Sequence, residues 1–163
     1  MSFDSALLLF IGVVFYGLLA AAALYDILRF RIPNAIVVAL PILFVVGAVI
    51  APVEIDWFSH FGAGLIVLVC AAALFHFNIL GGGDAKLLAA LSVWAGMDGL
   101  LVFLVGVSVL GGVLALGLLM VRPLCARADR ISWPRSMLPG HPLPYGVAIG
   151  GGAVVMQALV PAF

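Results

Sequence analysis

Asp26 and Asp84 are the two residues of this sequence whose type and setting favour chemistry, because Asp26 stands at the end of one apolar segment and Asp84 at the start of another. An ionisable side chain in such a place is costly and usually faces the interior of a helix bundle or an aqueous pocket. Two carboxylates that lie close together do not both ionise cheaply, so a pair shares a proton and divides the roles of acid and base. The alternative for each aspartate is a structural charge at a span end, paired with a nearby arginine or lysine.

A run of three glycines, Gly81 to Gly83, stands directly before Asp84. Glycine lets the backbone come close to a substrate and adopts positive φ angles without strain. The run therefore marks Gly81 and Gly83 as supports of an active site. A plain turn between two helices is the other explanation.

Three polar or rigid residues near the aspartates complete the candidate site. Lys86 follows Asp84 by two positions, and its ammonium either favours the ionised carboxylate or extends to the membrane surface. Pro33 is expected to start the second helix, where its missing N–H costs nothing, and Asn34 is expected to order the turn.

The composition places these residues in a membrane. The 163 residues are 66% hydrophobic and 9% charged, and the formal net charge is zero. Soluble domains carry about a quarter of their residues as charges. A span needs roughly 20 apolar residues, so the chain has room for about six or seven helices with short loops and no separate soluble domain. Neutral net charge gives no argument for a nucleic-acid partner.

Charges, prolines and glycines divide the chain into six apolar segments, which predict an all-α integral membrane bundle of six helices in one domain, 1–163. The N-terminus lacks the basic segment of a signal peptide, so the first helix is expected to remain in the mature protein. The predicted spans are about 5 to 25, 35 to 51, 59 to 80, 85 to 97, 99 to 121 and 143 to 160, with a turn at Asp98 and Gly99.

The charges segregate cleanly between the two sides of this predicted bundle. One side receives four acids and no Lys or Arg, namely Asp4, Glu54, Asp56 and Asp98. The positive-inside rule then places both termini outside and both candidate aspartates at the cytoplasmic side, where basic loops also meet membrane lipids. The cytoplasmic side holds all seven basic residues: Arg29, Arg31, Lys86, Arg122, Arg127, Arg130 and Arg135.

The fourth predicted span is short. At about 1.5 Å per residue it reaches only about 20 Å, against a hydrocarbon core of about 30 Å. Either the bilayer thins there, or Asp84 and its glycines lie at membrane depth with an irregular backbone.

The histidines and cysteines do not form a site. His60, His76 and His141 lie on different segments without ligand spacing, and the two cysteines form no CxxC motif. We therefore expect no bound metal. Closely spaced glycines such as Gly146 and Gly150 are explained by close helix packing.

The two aspartate segments resemble the two signatures of the type IV prepilin peptidases. The first reads Tyr-Asp-Ile-Leu-Arg-Phe-Arg-Ile-Pro-Asn over 25–34, and the second reads Gly-Gly-Gly-Asp-Ala-Lys-Leu over 81–87. The sequence Leu-Pro-Tyr-Gly over 143–146 resembles the entry to the last helix of that family. Large members carry an added region with paired CxxC motifs, which is absent here, so the minimal type that accompanies tight-adherence (Flp) pili is the nearest resemblance and no methyltransferase activity is expected.

The resemblance implies an aspartic endopeptidase of the bacterial inner membrane, with Asp26 and Asp84 as the catalytic pair and no cofactor. One carboxylate activates a water, and the other protonates the scissile carbonyl. The implied partners are prepilin or pseudopilin leader peptides, cut at the cytoplasmic face. The sequence identifies neither the pilin nor the oligomeric state.

Two other functions remain open from the residues alone. A small transporter or channel subunit would use Asp26 and Asp84 as a proton or cation relay, and it predicts carboxylates across the full membrane depth. A structural subunit of a secretion machine predicts that neither aspartate matters.

Overall fold

The computed structural model describes residues 3–127 and 143–162, which form helices and, within these ranges, no strand. The predicted all-helical architecture is therefore confirmed. Between the predicted spans 99 to 121 and 143 to 160, the sequence predicts a basic loop over 122–142. Its first part, 122–127, continues the fourth helix, and the remainder lies outside the described residues. The helices are α1 (Phe3–Arg29), α2 (Asn34–Ile50), α3 (Trp57–His76), α4 (Gly82–Arg127) and α5 (Tyr145–Leu159).

Local signals in the sequence explain where α3 begins and ends. The Asp56 carboxylate accepts hydrogen bonds from the backbone N–H groups of Phe58 and Ser59, which otherwise lack partners in the first turn. At the other end Asn78 adopts a left-handed φ of 57°. The Ile79 N–H then donates to the Leu74 carbonyl, as in a Schellman cap. The helix is thus four residues shorter at this end than predicted.

Gly96 divides α4 into two helical segments, 82–95 and 97–127. Its φ of 61° and ψ of −177° are not helical. Asp84 in the first segment and Ser108 in the second line the same cavity, whereas a straight helix would separate them by about 36 Å. The chain therefore turns back on itself at Gly96. The turn predicted at Asp98 and Gly99 was misplaced, because both residues are helical.

The first segment of α4 packs against α2 and α3, and the second packs against α5. Helix α1 closes the bundle by contacting α2 and α5. The Trp94 ring lies 4.2 Å from that of Phe15 and 5.7 Å from that of Phe44, measured between centroids. Its indole N–H donates to the Leu40 carbonyl at 2.9 Å. The side chains at the centre are fully buried: Phe15, Leu40, Phe44, Leu87, Leu91, Trp94, Phe103, Ile149 and Met156.

The outer surface of the bundle is apolar. Leu101, Val113 and Leu119 are each more than 60% exposed, which is typical of helices surrounded by lipid. Three stretches are long and apolar enough to cross a membrane, and α2 and α5 are apolar but shorter. The predicted count of six spans includes these two shorter helices and both segments of α4. The three stretches are Asp4–Arg29, Trp57–His76 and Gly82–Arg122.

Candidate active site

A cavity of about 820 Å³ at one end of the bundle contains both candidate aspartates. Its wall combines these two carboxylates with mostly apolar side chains, so it offers charge at one point and an apolar surface around it. The lining residues are Asp26, Phe30, Leu74, Ile79, Leu80, Gly81, Asp84, Leu88, Leu104, Val107, Ser108, Leu143 and Tyr145.

The two aspartates reach this cavity from opposite helix ends. Asp26 lies in the last turn of α1 and is 5% exposed. Asp84 lies in the first turn of α4, where a carboxylate interacts favourably with the helix dipole, and it is half-buried. Its carboxyl lies within electrostatic range of Asp26. The geometry therefore brings together two carboxylates that the sequence separates widely.

The glycine run supports Asp84 in a different way from the one predicted. Gly82 and Gly83 are helical whereas Gly81 precedes the helix, and Gly96 is the glycine with a positive φ among the described residues, so the positive φ angles expected at 81–83 are wrong. Gly81 is constrained by space instead. A Cβ at this position would lie 2.7 Å from Oδ2 of Asp84. A Cβ at Gly83 would lie 3.6 Å from Ile32, which is an ordinary contact distance.

Lys86, Pro33 and Asn34 lie beside the cavity and do not line it. The Lys86 ammonium donates to the Asn34 side-chain oxygen at 3.3 Å, and both residues are exposed. Pro33 was expected to be the first residue of the second helix. It is instead the N-cap, and α2 begins one position later, at Asn34. The bond between Lys86 and Asn34 thus connects the start of α2 to the start of α4.

Gly146 is a site residue that sequence reasoning missed. Its backbone N–H donates to Oδ2 of Asp26 at 2.7 Å. The adjacent Tyr145 lines the cavity. The signal was available in Leu-Pro-Tyr-Gly over 143–146, but Gly146 was assigned to helix packing.

Phe30 is a second residue that was missed. It lines the cavity with a left-handed φ of 50°, which is unfavourable for a bulky side chain, and its N–H donates to the Asp26 carbonyl at 2.9 Å. Backbone strain of this kind concentrates at functional sites.

His60 has a structural contact far from the aspartates. Its Nδ1 lies 2.7 Å from the Val93 carbonyl oxygen, which only accepts, so the ring nitrogen carries the proton and donates. Within residues 3–127 and 143–162, no three His, Cys, Asp or Glu side chains are grouped as metal ligands.

Comparison with known proteins assigns a family to this arrangement. Residues 13–116 match the type IV leader peptidase family. Over 156 residues the chain is 29% identical to a prepilin leader peptidase/N-methyltransferase of Bacillus subtilis (strain 168), and the match covers 94% of this chain. The chain spans 57% of that relative's length. No solved structure matches the chain significantly.

Proposed function

Because the chain belongs to the type IV leader peptidase family, we propose that it is a membrane-embedded aspartic endopeptidase with Asp26 and Asp84 as its catalytic pair. The observation that carries this proposal is the shared cavity, to which each of the two sequence signatures contributes its aspartate. Among residues 3–127 and 143–162, no lysine or arginine lines that cavity to neutralise either carboxylate. This arrangement supports chemistry in preference to two structural charges at helix ends.

The reaction needs only the two carboxyl groups and a water molecule. One carboxylate removes a proton from the water, whose oxygen then attacks the scissile carbonyl carbon. The other carboxyl donates its proton to the carbonyl oxygen, which gives a neutral tetrahedral intermediate. Collapse of this intermediate, with a proton returned to the amide nitrogen, breaks the C–N bond and releases the leader.

The proposed substrate is a prepilin-like protein of the Flp type, which carries a short basic leader followed by an apolar helix. The cavity supports such a substrate because apolar side chains surround the aspartates on two sides. Leu74 comes from the end of α3 and Ile79 from the connection that follows it. Leu104 and Val107 come from the second segment of α4. When the apolar helix of the substrate lies between these two groups of side chains, it is beside the carboxylates. The peptide bond that precedes this helix then reaches the catalytic pair.

We further propose a chain of six spans in the inner membrane, with both termini outside and the catalytic pair toward the cytoplasm. The reversal at Gly96 supports this count, since each segment of α4 then crosses separately. The positive-inside rule supports the orientation, because Arg29 and Lys86 lie at the aspartate end, and Glu54 and Asp56 lie at the other.

Cysteine labelling tests this orientation. In a chain without Cys70 and Cys125, a cysteine replacing the exposed Phe77 should react with a membrane-impermeant reagent in inverted vesicles, and one replacing Glu54 should react in intact spheroplasts. Labelling of both positions from the same side contradicts the proposed spans.

Leader cleavage in vesicles tests the proposed activity. The purified chain is reconstituted with a protein that carries a basic leader, a glycine at the cleavage site and an apolar helix. The expected result is a leader-length mobility shift with the wild-type chain and none with a chain carrying both Asp26→Asn and Asp84→Asn. Asp98→Asn is the matched control, because this exposed acid lies at the opposite end. Absence of cleavage by the wild type across a panel of such substrates, or cleavage by the double variant, overturns the proposal.

A further inference from the structure

The Asp26 carboxyl is held by a backbone group from a distant part of the chain. Its Oδ2 accepts the Gly146 N–H at 2.7 Å, and this bond is buried. Gly146 lies in the first turn of α5, where N–H groups have no partner within the helix. Both the orphan donor and the buried carboxyl are therefore satisfied by the same contact.

Position 146 has no room for a side chain. An added Cβ would lie 2.9 Å from Oδ2 of Asp26, 3.2 Å from its Cβ and 3.1 Å from Cδ1 of Ile32. Because Asp26 and Ile32 are themselves buried, neither moves aside freely. Glycine is thus the residue that lets α5 approach closely enough for its N–H to reach the carboxyl.

We propose that Gly146 is a positioning residue of the peptidase, which holds Oδ2 of Asp26 against α5 and leaves Oδ1 to exchange the catalytic proton. This inference rests on the proposed function. A hydrogen bond from a backbone amide to a carboxylate is charge-assisted and directional. It therefore holds the Asp26 side chain in one rotamer. Tyr145, the preceding residue, lines the cavity, and the first turn of α5 therefore touches both the carboxyl and the space for substrate.

A set of alanine substitutions tests whether the contact matters for turnover. Gly146→Ala should lower kcat by about tenfold or more with little change in KM, since the substrate space remains while the carboxyl is displaced. Gly150→Ala is the matched control, one turn further along α5, where the nearest atom to the new Cβ is the Leu19 carbonyl oxygen at 3.9 Å. It should retain wild-type kcat.

A third variant separates positioning from general damage to packing. Gly64→Ala places a Cβ 2.6 Å from the Val93 side chain, between α3 and α4 and away from the aspartates. It should lower the thermal unfolding temperature in detergent while the kcat per folded molecule stays at the wild-type value. If Gly146→Ala behaves like Gly64→Ala, or like Gly150→Ala, the positioning role is overturned.

Nuclear magnetic resonance tests the contact without any substrate. Labelling with ¹³C-carbonyl tyrosine and ¹⁵N glycine selects the Tyr-Gly pairs of the sequence, which are Tyr16-Gly17 and Tyr145-Gly146. In the full-length protein, the Gly146 amide proton should be shifted downfield and protected from exchange. Asp26→Ala should move it upfield and speed its exchange, while Gly17 serves as the internal reference.

The two experiments distinguish failure of this inference from failure of the proposed function. A Gly146 signal that is unchanged by Asp26→Ala overturns the contact, whatever the chain cleaves. A wild-type chain that cleaves no leader-bearing substrate overturns the proposed function before any variant is compared. A Gly146 signal that responds to Asp26→Ala, together with the tenfold loss of kcat in Gly146→Ala, supports the positioning role.

Discussion

The two ends of the bundle both place polar groups inside an apolar protein, but they treat those groups differently. At the Gly96 end, His60 donates to the Val93 carbonyl, and the Ser59 hydroxyl accepts the Met97 N–H at 2.9 Å. These contacts satisfy backbone groups of both α4 segments where the helix is interrupted. At the other end, Asp26 and Asp84 face a cavity of about 820 Å³.

This difference separates structural polarity from reactive polarity. A buried polar group whose partners are all protein atoms stabilises a particular geometry. A carboxyl with one oxygen anchored by Gly146 and the other without a partner among the described residues is able to exchange a proton with water. We therefore expect substitutions at the aspartate end to change turnover and substitutions at the Gly96 end to change stability.

The largest expected effect is the loss of either aspartate. Asp26→Asn and Asp84→Asn should each remove nearly all leader cleavage, because asparagine keeps the shape of the side chain but does not act as a general acid or base. The double variant should be little worse than either single variant, since residues that act as a unit are not additive. Initial cleavage rates in reconstituted vesicles measure both effects.

Asp56→Asn and Asp98→Asn are the controls for these rates. Asparagine caps a helix about as well as aspartate, so the first control preserves the start of α3. A single aspartate variant at position 26 or 84 that keeps more than about a tenth of the wild-type rate, a barrier change of only about 1.4 kcal/mol, contradicts the catalytic pair. A strong loss of cleavage rate in either control would contradict the expectation that only the aspartate end carries the chemistry.

Gly96→Ala should have the largest effect at the other end, and on stability. The backbone at Gly96 lies in a region open essentially to glycine, so alanine costs about 1–3 kcal/mol. The new Cβ also meets Cε1 of His60 at 3.1 Å. Gly112→Ala is the matched control in the same helix, with open space around the new Cβ, and should stabilise by about 0.5–1 kcal/mol. Thermal unfolding followed by circular dichroism compares them, and equal unfolding temperatures would show that the reversal needs no glycine.

His60→Phe should have a smaller effect on stability. Phenylalanine preserves the ring contact with Phe44, whose centroid is 4.6 Å away, and removes the bond to the Val93 carbonyl. The expected cost is about 1–2 kcal/mol, with unchanged kcat per folded molecule. His76→Phe is the control, because His76 is exposed. A loss of activity without a loss of stability in His60→Phe would assign chemistry to this end and favour a relay across the membrane.

Lys86→Met should have the smallest effect. The ammonium is exposed and donates to Asn34, and pairs at such positions contribute at most about 1 kcal/mol. Cleavage should fall by less than about fivefold, as measured by kcat in vesicles. A fall of more than tenfold, with Asn34→Ala near wild type, would show that Lys86 acts on the aspartates directly.

The helices and the two aspartates could be predicted from the sequence, because each side chain has a characteristic free energy of transfer into an apolar environment. Apolar runs predicted the helices, and the Gly-rich and Ile-Pro-Asn segments marked Asp26 and Asp84, which share a cavity. The positions of helix ends were less accurate, since α3 ends at His76 through a local cap on Asn78. The positive φ expected at the glycine run belongs to Gly96 instead.

The tertiary structure alone decided which backbone groups serve the site. Every residue except proline has an N–H, and the sequence contains 19 glycines, so nothing local marks the Gly146 amide as the partner of Asp26. That contact depends on how α1 and α5 pack, and a Cβ at position 146 would prevent it. The sequence by itself determined the apolar helices and the two aspartates, because these follow from side-chain type. The orientation of the Asp26 carboxyl follows from the close approach of α5 to this side chain, which only the folded chain defines.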